Sequence, residues 1–226
     1  MKILAIDTTG GACSVAVLKD ERVICEQFIH DKLTHSVHLM RLVDNCMKLT
    51  GLEIRDFDVF AVTSGPGSFT GIRIGMCAVK GFCQVTGKPA AAVDTLEALS
   101  ACVPQSGLVV PIMDARREQV YTAVFKDGRR MTEDMAIPVE ELLQKLSGED
   151  TLFIGDGVDA YADIIAQKYA NARFAPENIR YQRASAVAHI AAKQAERGEL
   201  VSCEKLIPNY LRMTQAERVR EENKNA

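Results

Sequence analysis

Apolar and polar positions follow two different periods along the first half of the chain, and the change of period separates strands from helices. Short runs rich in Val, Ile and Phe predict β-strands, whereas apolar residues that recur at helical spacing predict amphipathic helices. The predicted order is β-β-β-α-β-α with one more strand and helix, at 2–7, 12–18, 22–29, 37–49, 59–63, 71–86, 90–93 and from Asp94 onward.

The second half of the chain repeats this order. Asp114 lies 107 residues after Asp7, and at the same offset residues 16–22 and 123–129 share the pattern Ala-Val-x-Lys-Asp-x-Arg. The elements predicted downstream are a helix at 138–147, a strand at 151–154, and helices at 159–168 and 184–197. This repeat predicts a duplicated α/β domain, divided into a lobe at 1–103, a lobe at 104–214 and a mobile polar tail at 215–226.

Composition narrows the possible partners and compartments. The formal net charge of −3 provides no basic surface for nucleic acid, so any RNA would be held mainly by a partner protein. The seven cysteines form no Cys-x-x-Cys pair, which favours reduced cysteines and a cytoplasmic location. No apolar run approaches the roughly 18 residues of a membrane span, so no membrane contact is expected.

The most specific segment is the glycine-rich stretch from Ser64 to Gly75, between a predicted strand and a predicted helix. Backbone N–H groups and the positive end of the helix dipole meet at such a junction and can bind an anion. The spacing fits neither the Walker loop nor the dinucleotide fingerprint. The alternative is that the glycines only shape a tight turn. The candidate phosphate ligands here are Gly65, Pro66, Gly67 and Ser68.

Two lobes of this order are the plan of the acetate kinase, sugar kinase and actin superfamily. The chain resembles the phosphate-binding first hairpin of that superfamily at Asp7-Thr8-Thr9-Gly10-Gly11, although no glycine follows the aspartate directly. The resemblance implies RNase H-like lobes and makes Asp7, Thr8 and Thr9 candidate nucleotide-binding residues. The alternative is that Asp7 ends the strand and the threonines satisfy the turn.

The glycine-rich segment also resembles the signature of the TsaB family, which serves the modification of tRNA adenosine by threonylcarbamoyl. The match is Gly-Pro-Gly-Ser-Phe-Thr-Gly-x-Arg-x-Gly from Gly65, and it extends to Pro208-x-Tyr210-Leu211-Arg212 near the other end. A departure is Val37, where the family usually has an acidic residue. The resemblance implies a reduced second lobe and a non-catalytic activator subunit that pairs with a TsaD-like catalytic subunit.

Further partners and ligands follow from the same resemblance. It implies a TsaE-like ATPase as an additional partner, a homodimer when the chain is alone, and contact with tRNA only through the complex. No tightly bound cofactor is expected. ATP or ADP is expected to bind weakly, if at all, where the chain meets its partner.

The TsaD-like relatives present His-x-x-x-His to a metal from the helix after the glycine turn. Thr95 and Leu99 occupy the matching positions here. Leucine cannot ligate a metal and a lone threonine hydroxyl is a poor ligand, so no catalytic metal is expected. His35 and His38 could share a helix face, but no third ligand lies at motif spacing.

Both long helices of the first half carry more apolar residues than one buried stripe needs, which predicts a partner-binding surface. The predicted interface residues are Leu39, Met40, Val43, Met47, Ile72, Met76 and Val79. The alternative is that the two helices pack against each other within the chain.

Two functions from other classes remain open at this point. A stand-alone small-molecule kinase or ATPase would use Asp7 and Asp114 to hold Mg²⁺ in a closed cleft. A metalloprotease is the weaker alternative, because the ligand positions are not filled.

Overall fold

Strands and helices alternate through both halves of the chain in the predicted order. The computed structural model describes residues 1–31, 33–146 and 148–212, so the predicted tail at 215–226 lies outside the described residues. The elements of the first half are β1 (Lys2–Asp7), β2 (Cys13–Lys19), β3 (Arg22–Ile29), α1 (His35–Thr50), a 3₁₀ turn (Ile54–Asp56), β4 (Val59–Gly65), α2 (Phe69–Thr86), β5 (Ala90–Asp94) and α3 (Thr95–Ser100). Those of the second half are β6 (Leu108–Asp114), β7 (Gln119–Thr122), β8 (Phe125–Lys126), β9 (Arg129–Arg130), β10 (Met135–Pro138), α4 (Val139–Lys145), β11 (Thr151–Ile154), α5 (Gly157–Lys168), β12 (Ala172–Phe174), α6 (Glu177–Arg180) and α7 (Ala184–Glu196).

Strand β1 is the centre of the first sheet, whose order is β3-β2-β1-β4-β5. β2 runs antiparallel to β1 and to β3, whereas β4 and β5 continue the sheet in parallel. Successive side chains of a strand point to opposite faces, so β1 contributes to two cores. Leu4 and Ile6 pack with α1 and α2, while Ile3 and Ala5 pack with α7. Because helices cover both faces, β1 and β4 are apolar at nearly every position.

The second sheet repeats the first in the order β10-β7-β6-β11-β12, so β6 corresponds to β1 and β11 to β4. β7 and β8 pair with β6 in one continuous antiparallel register and together take the place of β2. The two hairpin turns match in detail. Asp20 and Asp127 both have a left-handed φ, and their carboxylates accept hydrogen bonds from the N-terminal ammonium of Met1 and from the Gly107 N–H. This topology agrees with the predicted duplication.

Helix α7 packs on the first sheet, although the sequence division placed 104–214 in the second lobe. Val187 and Ala191 of α7 lie against Ile3 and Ala61 of that sheet. The physical reason is that the face of the sheet opposite α1 and α2 needs a cover, and its small side chains accept a close, alanine-rich helix. The assignment to the second lobe was therefore wrong for α7.

Candidate functional site

The loop after β1, from Thr8 to Gly11, is held by the buried Asp7 side chain. The Asp7 Oδ1 atom accepts hydrogen bonds from the Thr9 N–H at 2.9 Å and from the Thr9 hydroxyl at 2.7 Å. Burial raises the pKa of Asp7, and the hydrogen bonds from Thr9 oppose that rise. The Thr8 hydroxyl donates to the Gly71 carbonyl at 2.7 Å, which fastens the loop to α2. Asp7 therefore fixes the conformation of the loop, and Thr8 fixes its position against α2.

The glycine-rich turn makes close backbone contacts. A Cβ atom on Gly65 would collide with the Asn209 carbonyl oxygen, and one on Gly67 would collide with the Thr9 carbonyl oxygen. Both glycines also have a positive φ that other residues rarely adopt. The Gly65–Pro66 peptide bond is cis, and the Ser68 side chain caps α2 by accepting from the Gly71 N–H at 3.3 Å. Packing inside the chain thus accounts for much of this glycine spacing.

A segment after α7, residues 199–212, crosses the first lobe towards this turn, and we call it the C-terminal strap. It pairs with β5 through a bridge between Val201 and Ala90. The Asn209 N–H then donates to the Ser64 carbonyl at 2.7 Å. The Tyr210 hydroxyl accepts from the Arg73 Nε at 2.8 Å. The strap brings Arg212 to the space between the lobes.

A cavity of about 550 Å³ opens between the two lobes. Its wall contains Thr9, Gly10, Gly11, Gly67, Ser68, Phe69, Thr70, Met113, Asp114, Ala115, Arg116, Arg117, Tyr121, Asp156 and Arg212. The first lobe contributes a glycine loop and the first turn of α2, and the second lobe contributes most of the charged side chains. Of the predicted phosphate ligands, Thr9, Gly67 and Ser68 line the cavity, whereas Asp7, Thr8, Gly65 and Pro66 support it without lining it.

Asp156 joins the two lobes at the floor of this cavity. Its Oδ2 atom accepts from the Gly11 N–H at 3.3 Å and its Oδ1 atom accepts from the Asp114 N–H at 3.2 Å. Burial raises the pKa of Asp156 to about 6, against the effect of these two donors. Asp114 in turn lies 3.6 Å from the Arg116 guanidinium, and Arg212 donates to the Ala115 carbonyl at 2.6 Å. The cavity therefore carries charges of both signs.

Sequence reasoning missed Asp156, Arg116, Arg117 and Arg212 as cavity residues. Two of these lay within patterns already visible in the sequence. Gly155-Asp156-Gly157 stands at the repeat of the glycine turn, and Arg212 ends the Pro-x-Tyr-Leu-Arg motif. The sequence contains both patterns, but only the folded chain shows that Asp156 and Arg212 face the cavity.

The positions that match the metal ligands of TsaD-like relatives are buried. Thr95 and Leu99 have no exposed surface, and Leu99 packs with Met113 and Ile154 in an apolar core shared by the two lobes. Asp94 caps α3 and pairs with Arg130 of β9 at 2.5 Å. In the described part of the chain, no group of three His, Cys, Asp or Glu side chains is arranged to hold a metal ion.

Five of the seven predicted interface residues belong to the chain's own core, and their assignment to a partner surface was wrong. These five are Leu39, Val43, Ile72, Met76 and Val79. The reason is that α1 and α2 lie side by side on the sheet, so each helix needs an apolar arc that covers both the sheet and its neighbour. Met40 remains 52% exposed and Met47 is half-buried.

Apolar and small residues nevertheless remain on the outer side of both helices, and we call this surface the helix flank. On α1 it comprises Val37, Met40 and Met47, and on α2 it comprises Cys77, Gly81 and Val85. Val37, which departs from the family pattern, extends the flank by one helical turn. A Cβ atom on Gly81 would meet nothing within 4 Å, so no contact inside the described chain requires a glycine there.

The structure is that of an α/β protein with two RNase H-like lobes of the same strand order and a cavity between them. The fold agrees with that of an activator of 2-hydroxyisocaproyl-CoA dehydratase from Clostridium difficile, solved with bound ADPNP, at a TM-score of 0.52 over 88% of this chain and 97% of that one, with 12% identity.

Comparison at the sequence level gives the family. The model of the TsaD family, tRNA N6-adenosine threonylcarbamoyltransferase, matches residues 24–219. The chain is 31% identical to the tRNA threonylcarbamoyladenosine biosynthesis protein TsaB of Bacillus subtilis over 96% of both chains. It is 27% identical to YeaZ from Pseudomonas aeruginosa, with a TM-score of 0.80 over 93% of this chain and 99% of that one. The chain belongs to the TsaB/YeaZ proteins of this family.

Among the residues that the structure describes, no helix is both long enough and apolar enough to cross a membrane.

Proposed function

We propose that this protein is a non-catalytic subunit of the machinery that places threonylcarbamoyl on tRNA adenosine, and that it activates a TsaD-like catalytic subunit by pairing with it. The family assignment supports the pathway, since relatives are named for threonylcarbamoyladenosine biosynthesis. All seven cysteines are free thiols, which is consistent with work in the cytoplasm.

The apolar environment of Thr95 and Leu99 carries the non-catalytic part of this proposal. A catalytic metal needs side chains that donate electron pairs into an accessible site. Leu99 has no donor atom, and both side chains are closed off from solvent by the core between the lobes. The chemistry is therefore assigned to the partner.

The helix flank supports pairing. Exposed Val37, Met40 and Val85 would lose water contact when a second helix pair covers them. A homodimer of this chain and a heterodimer with the TsaD-like subunit would compete for the same flank, because one surface cannot be covered twice. A TsaE-like ATPase and the tRNA would then join the heterodimer, with the tRNA contacted through the complex.

A reconstituted modification assay tests this function. The purified TsaD-like subunit, the TsaE-like ATPase, tRNA, ATP and an activated threonylcarbamoyl donor are incubated with and without this chain, and modified adenosine is measured by mass spectrometry of the digested tRNA. Modification is expected only when this chain and the TsaD-like subunit are both present. Modification by this chain without the TsaD-like subunit would contradict the proposal. Full modification by the TsaD-like subunit without this chain would contradict it as well.

The cavity between the lobes favours a second candidate, a stand-alone kinase or ATPase. Thr9, Gly67 and Arg116 are residue types that contact phosphate groups, and they line one cavity. We propose instead that ATP or ADP binds this chain weakly and is not turned over. Calorimetric titration with ATP and Mg²⁺ is expected to give a binding free energy no more favourable than about −4 kcal/mol, or a Kd near 1 mM. Micromolar binding with release of inorganic phosphate would favour the kinase or ATPase.

A further inference from the structure

The Asp156 carboxylate links the loop after β1 to the end of β6, the equivalent strand of the second lobe. Gly11, which donates to its Oδ2 atom, lies in the loop after β1, and Asp114, whose N–H donates to its Oδ1 atom, ends β6. The strands β1 and β6 are equivalent in the two sheets, so one donor lies in the loop after β1 and the other at the end of its counterpart β6. One side chain thus bridges both lobes through their backbones.

The two backbone donors belong to the cavity wall. Gly11, Asp114 and Asp156 all line the cavity of about 550 Å³, together with Arg116 and Arg212. Backbone N–H groups in a glycine loop bind phosphate-like oxyanions when they are free. A carboxylate offers the same kind of acceptor oxygen, so it competes with a ligand for these donors. Its negative charge also repels an anion that approaches the same place.

We propose that Asp156 acts as an internal plug, whose carboxylate takes the backbone donors that would otherwise bind a tetrahedral oxyanion in the cleft. The chain would then accept such an anion only when Asp156 is neutral or has moved away. This inference rests on the proposal that the cleft still binds an anion weakly, and it does not depend on pairing with the TsaD-like subunit. The plug also supplies a reason for that weak binding.

The charges around Asp156 disfavour its ionised carboxylate, so an anion can displace that carboxylate from the two N–H donors. Burial raises its pKa to about 6, the two N–H donors act against this, and the carboxylates of Asp114 and Asp159 raise the pKa further. Both neighbouring carboxylates are themselves paired: Asp114 with Arg116, and Asp159 with Arg180 of α6. Further titratable and charged groups among the described residues around this place are His30 beside Gly11, His35 with its Nε2 atom 2.9 Å from the Gly10 carbonyl oxygen, Tyr161 and Tyr181, which donate to Asp114 and Asp159, and Arg117 and Arg212 in the cavity wall. The ionised plug is therefore held by two long hydrogen bonds in an environment that disfavours its charge.

Asp156→Asn tests the plug with little change of shape. An asparagine has no charge and only one acceptor oxygen, so one of the two backbone donors loses its partner and becomes available. At neutral pH the Kd for sulfate, measured by calorimetry, is expected to fall by about tenfold, because a nearby like charge has been removed. The matched control is Asp163→Asn, which removes the same charge from an exposed position on α5 and should leave the Kd unchanged.

The source of the anion is resolved by two further probes. Pyrophosphate and ADP are titrated against Asp156→Asn under the same conditions. Tighter binding of ADP than of pyrophosphate supports the plug in a nucleotide site, and equal binding supports it in a site for a free oxyanion. No binding of sulfate, pyrophosphate or ADP to the folded variant would overturn the inference.

A pH series on the unchanged chain tests the plug without relying on the variant. Protonation neutralises Asp156 as the pH falls through about 6, so sulfate affinity should rise in that range. Sulfate suits this test because it keeps its charge between about pH 5 and 8, where the carboxylates and histidines of the protein titrate. In Asp156→Asn this rise should disappear. A rise that persists in the variant would show that a group other than Asp156 causes it and would sink the plug.

Discussion

Met40→Glu is expected to abolish pairing through the helix flank while the single chain stays folded. The Met40 side chain is 52% exposed on α1, so a glutamate there meets water in the free chain. In a paired state the same carboxylate would be buried without a partner, which costs about 2 to 5 kcal/mol in an interface. That range corresponds to a loss of affinity of roughly 30-fold to several thousand-fold. Sedimentation velocity would measure the homodimer, and co-purification would measure the complex with the TsaD-like subunit.

Met131→Glu is the matched control for this substitution. Met131 is 59% exposed, follows β9 in the second lobe and lies on neither α1 nor α2. Both variants add one negative charge in place of one exposed methionine, so a general effect of charge would appear in both. Pairing that survives Met40→Glu unchanged would show that the helix flank is not the docking surface.

The elements were predictable because local patterns determine them. The helix predicted at 71–86 is α2, and it begins two residues earlier, at Phe69, because Ser68 supplies its cap. The sequence itself shows that Asp127 repeats Asp20. In the structure both residues have a left-handed φ. Hydrophobic period, caps and turn residues act over a few positions, so a single sequence displays them.

The sequence did not predict in the same way which element covers each apolar face. Val43 and Met76 were assigned to a partner, yet they contact the neighbouring helix and the sheet of their own chain. Apolar spacing shows that a face must be covered, but it does not distinguish a neighbouring helix from a second protein. The same gap led to the error for α7, since Val187 could have covered either sheet.

The cavity was predictable only in part. The glycine loop and the glycine turn were singled out correctly as features of the chain, and Thr9, Gly67 and Ser68 do line the cavity. Whether they bind an anion stays a prediction. The contact between Asp156 and Gly11 spans 145 residues, and no local pattern indicates a hydrogen bond over that separation. The contact follows from the fold, which brings the loop after β1 next to the end of β11.

Gly71→Ala is expected to destabilise the chain by about 3 kcal/mol. This is the upper end of the cost, about 1 to 3 kcal/mol, of forcing extra atoms into a packed interior. Gly71 lies in the first turn of α2, where a Cβ atom would overlap the Thr8 carbonyl oxygen. That oxygen belongs to the backbone, so it cannot swing aside as a flexible side chain could. The shift would also disturb the hydrogen bond from the Thr8 hydroxyl to the Gly71 carbonyl, which measures 2.7 Å. Urea unfolding followed by circular dichroism would measure the change in the free energy of unfolding.

Gly81→Ala in the same helix separates crowding from helix propensity. Both substitutions add one methyl group to α2, but a Cβ atom at Gly81 has open space around it. Alanine is favoured over glycine in a helix by about 1 kcal/mol, so this variant should be stabilised by up to that amount. It also adds a methyl group to the helix flank, where Gly81 lies between Cys77 and Val85, and should weaken pairing because the methyl group prevents the close backbone approach that a glycine allows. Equal effects of the two substitutions on unfolding would contradict a close contact between α2 and the Thr8 carbonyl oxygen.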